Sequence, residues 1–270
     1  MINLAKELLF MQYNQCIEVV GKDEFHTYFA EEKIRHSLQV AGAGNYLVEH
    51  VDWLKTKSAE YREMVKTACM LHDVCRFSQI TKNFHGQKNY DHGVAAYEFL
   101  NHTALFDDIR IILPIKHHGH MIEKLYADEE YQRLDEGLRR EVELICFLVR
   151  DADKIANFNM MTHEARYLPL FIDVDRELTD EDFKISEVVW KNAFVNDTIP
   201  RPCTTVAESM AAFISWYMDI NYRAAIDYCS KLGVTDLMFK LFDKYCSDEE
   251  FKRKYSEHIY KHLNEYDFIK

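Results

Sequence analysis

Apolar residues recur at helical spacing along most of the 270-residue chain. Leu4, Leu8, Met11, Tyr13 and Cys16 predict an opening helix from Asn3 to about Val20, stopped by Gly21-Lys22-Asp23. A second helix is expected from near Tyr28, with Phe29, His36, Val40 and Ala43 on one apolar stripe. Gly42 or Gly44 should fray it before it resumes toward Val51. Ser58 suits the N-cap of a third, on which Val65, Ala68, Cys69 and His72 share a face and Asp73 follows Cys69 by one turn. The polar stretch from Phe77 to Asp91, with Gly86, predicts a loop.

Helical spacing returns at His92 through Val94, Tyr97 and Leu100, and again from Ile109 to His118 despite Pro114, with Gly119 as the breaker. Leu138 to Phe158 predicts the longest helix of the middle region, with Ile145, Val149, Ala152 and Ala156 inward and Asp153 one turn beyond Val149. After Pro169, helices are expected over Thr179 to about Val195, Thr205 to Cys229 and Ser247 to Phe268. Thr205/Glu208 and Ser247/Glu250 match the capping-box spacing. The expected fold is all-α: a helical core over 1–170 and a helical extension over 171–270 packed on it, with Ile199-Pro200-Arg201-Pro202 as the one rigid connector.

Composition supports that fold, since 48% of residues are hydrophobic while Gly and Pro number only 8 and 4. Against 45 acids stand 33 Lys and Arg, a net charge of −12, so nothing global draws the surface to large nucleic acids or anionic membranes. An anionic substrate must be met locally, by metal ions or a few basic side chains. The seven cysteines are scattered, odd in number and lack a CxxC pair, which argues against a disulfide framework or a thiolate zinc module. A charged N-terminus and no apolar run of spanning length give a cytoplasmic, soluble protein as the expectation.

Chemistry concentrates in one ordered series: His36, His72-Asp73, His92, His117-His118 and Asp153, each on or beside a predicted helix with an apolar face. Imidazole and carboxylate donors without thiolates suit zinc, iron, manganese, cobalt, nickel or magnesium. If these buried polar groups lacked partners, each would cost about 1–3 kcal/mol. His26, His50, His102, His163, His258 and His262 lie outside the series and read as ordinary core or surface histidines. His85 and His120 read equally well as solvated loop residues or as groups near the pocket.

The order His, then His-Asp, then Asp resembles the HD superfamily of metal-dependent phosphohydrolases over roughly Glu31 to Phe158. Lys33-Ile34-Arg35-His36-Ser37-Leu38-Gln39-Val40, His72-Asp73-Val74-Cys75-Arg76-Phe77 and Arg150-Asp151-Ala152-Asp153-Lys154-Ile155 carry the likeness. It implies an HD-type helical bundle in which His36, His72, Asp73 and Asp153 bind one divalent ion, Asp73 bridges to a second, and His92, His117 and His118 supply further ligands. His117 and His118 point about 100° apart on a helix, so only one or two of that trio are expected to be ligands. Asp151 competes with Asp153, and the apolar stripe passes closer to Asp153. Gly119-His120-Met121-Ile122 replaces the Gly-Tyr-Pro wording of the HD-GYP subgroup, setting this chain outside it.

The implied reaction is hydrolysis of a phosphoester or phosphoanhydride of a nucleotide or other small phosphorylated metabolite by metal-activated water. Asp73 and Arg76 are the catalytic candidates, and Arg76, Lys116 and Lys154 the candidates for binding phosphate oxygens. Two other readings use the same scaffold: a di-iron oxygenase, and a non-catalytic nucleotide-binding regulatory protein whose C-terminal third meets a partner or a second copy.

Overall fold

The computed structural model describes residues 1–87, 89–163, 177–195, 198–199 and 203–270. Among these residues the protein is helical, with no strand beyond one isolated bridge between Tyr222 and Ile269. Two compact units divide the chain, Met1–Asp153 with Lys270, and Lys154–Ile269. None of the helices in the described residues is long and apolar enough to cross a membrane.

In the first unit, α1 (Ile2–Val20) buries Ala5, Leu9, Cys16 and Val20, the one-face spacing the sequence implies. α2 (Glu24–His50) starts four residues earlier than expected because the Asp23 carboxylate accepts the backbone N–H of His26. It also runs unbroken through Gly42 and Gly44. A Cβ on Gly44 would lie 2.6 Å from Cys69 Sγ, so this glycine lets α2 approach α4 (Ala59–Leu71) rather than ending a helix. Between them lies the short α3 (Asp52–Lys55), and Ser58 caps α4 by accepting the N–H of Tyr61.

The expected loop after Asp73 contains a helix, α5 (Arg76–Phe84). Its composition is polar, yet Phe77 and Ile80, three apart, are buried, and that burial outweighs the weak local signal. α6 (His92–Thr103) is capped by Asp91 and α7 (Ile109–His117) by Asp108, with Pro114 inside α7. α8 (Glu123–Tyr126) and α9 (Glu129–Arg133) are single turns, and α10 (Glu136–Met161) crosses the boundary between the units. Leu113, Leu125, Tyr131, Val142 and Cys146 pack together as one buried cluster of this unit.

The second unit departs further from its periodicity. The helix expected over Thr179 to Val195 is instead a 3₁₀ turn, Asp180–Phe183, and a short helix, Glu187–Asn192. That expected over Thr205 to Cys229 breaks after Val206–Ser215 and resumes at Arg223–Leu232. At the break Ser215 Oγ is held by Ala212 O and Ile199 N–H, and Tyr217 stacks on Phe158 at 4.3 Å, so tertiary contacts interrupt the run. Val234–Tyr245 follows Gly233, whose φ of +68° makes the sharp turn that glycine permits. In the last helix, Glu249–Glu265, Asp248 rather than Ser247 is the cap, while Ser247 Oγ donates to Phe183 O. Glu208 makes only half of its expected capping box, its carboxylate accepting the N–H groups of Ser186 and Thr204. Of the expected connector only Ile199 lies among the described residues.

Candidate metal centre

Five helices of the first unit bring their ends or inner faces to one point. His36 sits within α2, His72-Asp73 just past α4, His92 at the start of α6, His118 just past α7, and Asp153 on α10. Asp73 Oδ2 lies 4.0 Å from His36 Nε2 and 3.7 Å from His72 Nε2. Asp153 Oδ1 completes that side, 2.9 Å from His36 Nε2 and 3.9 Å from His72 Nε2. The other oxygen of the same carboxylate, Asp73 Oδ1, lies 3.1 Å from His92 Nε2 and 3.5 Å from His118 Nε2. Asp73 therefore faces two groups of donors, one through each oxygen.

Backbone contacts decide which ring nitrogen faces inward. His72 Nδ1 lies 2.9 Å from Cys69 O and His118 Nδ1 2.7 Å from Ile115 O. A carbonyl only accepts, so each Nδ1 carries the hydrogen and each Nε2 presents a lone pair to the cluster. The His72 Nε2 and Asp73 Oδ1 atoms are buried without a hydrogen-bond partner. His92 Nε2 and His118 Nε2 face each other at 3.3 Å. Converging lone pairs and carboxylate oxygens are what a divalent cation requires, and this donor set of imidazoles and carboxylates fits one.

Electrostatics agree with the geometry. Burial pushes His72 down to about 3 and also lowers His92, so both rings are neutral, as ligands must be. Burial opposes ionisation of Asp73, but Arg76, Lys33 and the neighbouring imidazole hold it well below the usual carboxylate range. Asp153 is lowered in the same way against burial, chiefly by His36.

The remaining sequence candidates lie in different places. Arg76 stands beside the cluster, its Nε 3.5 Å from Asp73 Oδ1 and its Nη1 donating to Gln79. His117 is turned away: its Nε2 meets Asp128 Oδ2 at 2.9 Å, and the geometry does not bring it to Asp73. Lys116 pairs with the same Asp128 oxygen at 2.6 Å while lining the adjoining cavity, and Lys154 pairs with Asp219 at 2.9 Å. Asp151 is fully buried two residues before Asp153.

Three further residues, Lys33, Asp91 and Asp128, went unread in the sequence, and His120, read there as a loop residue or a group near the pocket, lies beside the cavity. Lys33 Nζ lies 3.5 Å from Asp73 Oδ2, and its position three residues before His36 was the available signal. Asp91 and His120 pair at 2.9 Å on the wall of a cavity of about 380 Å³, which Tyr90, His92, Lys116 and His118 also line. Asp128 gave no signal, because its partners Lys116 and His117 come from another helix.

No curated protein and no solved structure matches the chain. The family model of the HD domain matches residues 34–157. That span contains both donor groups from His36 to Asp153, so the stretch of the chain that carries the cluster is similar to the HD domain.

Proposed function

We propose that this HD-like domain is a divalent-metal-dependent phosphohydrolase acting on a nucleotide or another small phosphorylated metabolite. The observation that carries the reading is the two-sided Asp73, with one oxygen toward His36 and His72, which Asp153 also meets, and the other toward His92 and His118. His36, His72, Asp73 and Asp153 would hold one ion, and Asp73, His92 and His118 a second. Bound there, the ions would supply Lewis-acid activation of water and of a phosphoryl oxygen.

The chain's own side chains supply the rest. Lys33 and Arg76 flank Asp73 and offer two positive charges to the non-bridging oxygens of a phosphoryl group, against the −12 of the whole chain. Gln79 fixes Arg76 from below and ties the segment before α6 by donating to Tyr90 O at 2.8 Å. The cavity beside His92 and His118 has room for the remainder of a small metabolite.

The test is a panel of nucleotides, sugar phosphates and phosphodiesters, offered to protein stripped of metal and reloaded with manganese, cobalt, nickel, zinc, iron or magnesium. Metal-dependent release of phosphate or a phosphomonoester, lost in Asp73→Ala, is the expected result. No turnover with any ion, together with a redox-active di-iron pair in protein purified without added metal, would replace the reading with the oxygenase alternative.

A further inference from the structure

Beside the Asp73 cluster, two histidines face each other in a way that neither the fold nor the proposed hydrolysis requires. His117 closes α7 and His120 follows the Gly119 turn, and their Nδ1 atoms lie 3.4 Å apart. Each ring's other nitrogen is held by a carboxylate: His117 Nε2 lies 2.9 Å from Asp128 Oδ2, and His120 Nε2 lies 2.9 Å from Asp91 Oδ2. A carboxylate at neutral pH only accepts, so a neutral imidazole spends its one proton at Nε2 and leaves Nδ1 bare. Two bare Nδ1 lone pairs then point at one another, and something positive must stand between them.

The spacing discriminates between a proton and an ion. At 3.4 Å the pair is longer than an ordinary N–H hydrogen bond of about 2.7–3.2 Å. Two nitrogens each about 2.1 Å from an ion at a tetrahedral angle lie about 3.4 Å apart. A carboxylate behind each imidazole is also the usual support of a metal-bound histidine. Both carboxylates are anchored, Asp128 Oδ1 by the N–H groups of Glu130 and Tyr131, and Asp91 Oδ1 by those of Gly93 and Val94. Arg150 braces the intervening backbone by donating to His118 O and His120 O.

We infer that His117 Nδ1 and His120 Nδ1 form a further site for a borderline divalent transition ion, zinc, cobalt or nickel. Two protein ligands leave its other positions to water or to oxygens of an anionic molecule in the cavity that His120 lines. The site shares no ligand with the Asp73 cluster and does not rest on the hydrolase reading.

Stripped full-length protein titrated with Co²⁺, with bound metal counted after dialysis and the visible absorption of cobalt recorded, decides it. Wild type should bind one equivalent more than His120→Ala, a substitution at a partly exposed turn that circular dichroism should show to be folded. Asp73→Ala should retain an equivalent that the double variant Asp73→Ala/His120→Ala loses. Asp91→Asn, which keeps the helix cap, should weaken that equivalent alone by about 10–100-fold. Equal Co²⁺ in wild type and His120→Ala would overturn the inference and leave a shared proton between the rings. So would an Asp73→Ala protein that binds none.

Discussion

Asp73 illustrates how much one side chain can hold together. Its carboxylate is 2% exposed, faces four imidazoles, and has Lys33 and Arg76 on its flanks. Two cations beside a carboxylate that is to hold metal weaken its attraction for ions, so their presence calls for another role. A phosphoryl group entering between them would make charge-assisted contacts worth about 1.5–3 kcal/mol each. Lys33→Ala is therefore expected to lower kcat/KM for the phosphorylated substrate by roughly ten- to a hundredfold, in line with that energy. Metal content should not fall. A Lys33→Ala protein that loses its ions, measured by elemental analysis, would make Lys33 a support for the cluster instead of a substrate contact.

At the scale of elements, helix existence was legible where burial follows one face, as on α1, α4 and α10, and motif order singled out the four residues, His36, His72, Asp73 and Asp153, that the fold brings together. What escaped depended on neighbours. α5 was hidden because only Phe77 and Ile80 of a polar stretch are buried, and the continuity of α2 was hidden because Gly44 answers to Cys69 on another helix. Nor could spacing choose between His117 and His118, since adjacent residues at a helix end diverge and only the packing of α6 shows which one turns inward. That packing depends on Gly93, where an added Cβ would lie 2.5 Å from Lys116 O. The carbonyl is backbone and cannot step aside, so Gly93→Ala must push α6 away from α7 and carry His92 from His118. The expected result is a folded protein, destabilised by about 1–3 kcal/mol, in which the ion held by His92 and His118 is lost and that held by His36, His72 and Asp153 remains. Unchanged metal stoichiometry in Gly93→Ala would show that α6 has more freedom than this contact implies.

For the whole molecule, the centre ties folding to metal and to pH. Ions that bind only the folded chain stabilise it, by about 2.7 kcal/mol at a hundredfold excess over Kd. Without them the buried imidazoles must stay neutral unaided. His72 is pushed to about 3 by burial, while in the unfolded chain it titrates near the ordinary imidazole value of about 6.5. Between those values the unfolded chain binds a proton that the folded one refuses. The stabilising contribution is therefore complete above pH 6.5 and is lost as pH falls toward 3, at about 1.4 kcal/mol for each unit of pKa difference. His92, lowered by the same burial, acts in the same direction, and below about pH 4 the Asp73 carboxylate adds to the loss, because the unfolded chain takes up a proton there that the folded one refuses. Metal-stripped protein should thus show a Tm that declines steadily from pH 6.5 to 4.5. Added divalent ion should raise Tm clearly at pH 7.5 and progressively less toward pH 5, because protons compete with the ion for the same nitrogens. Thermal unfolding followed by circular dichroism across that grid checks both effects. A Tm indifferent to chelator at pH 7.5 would mean that the converging donors bind no ion that matters to the fold.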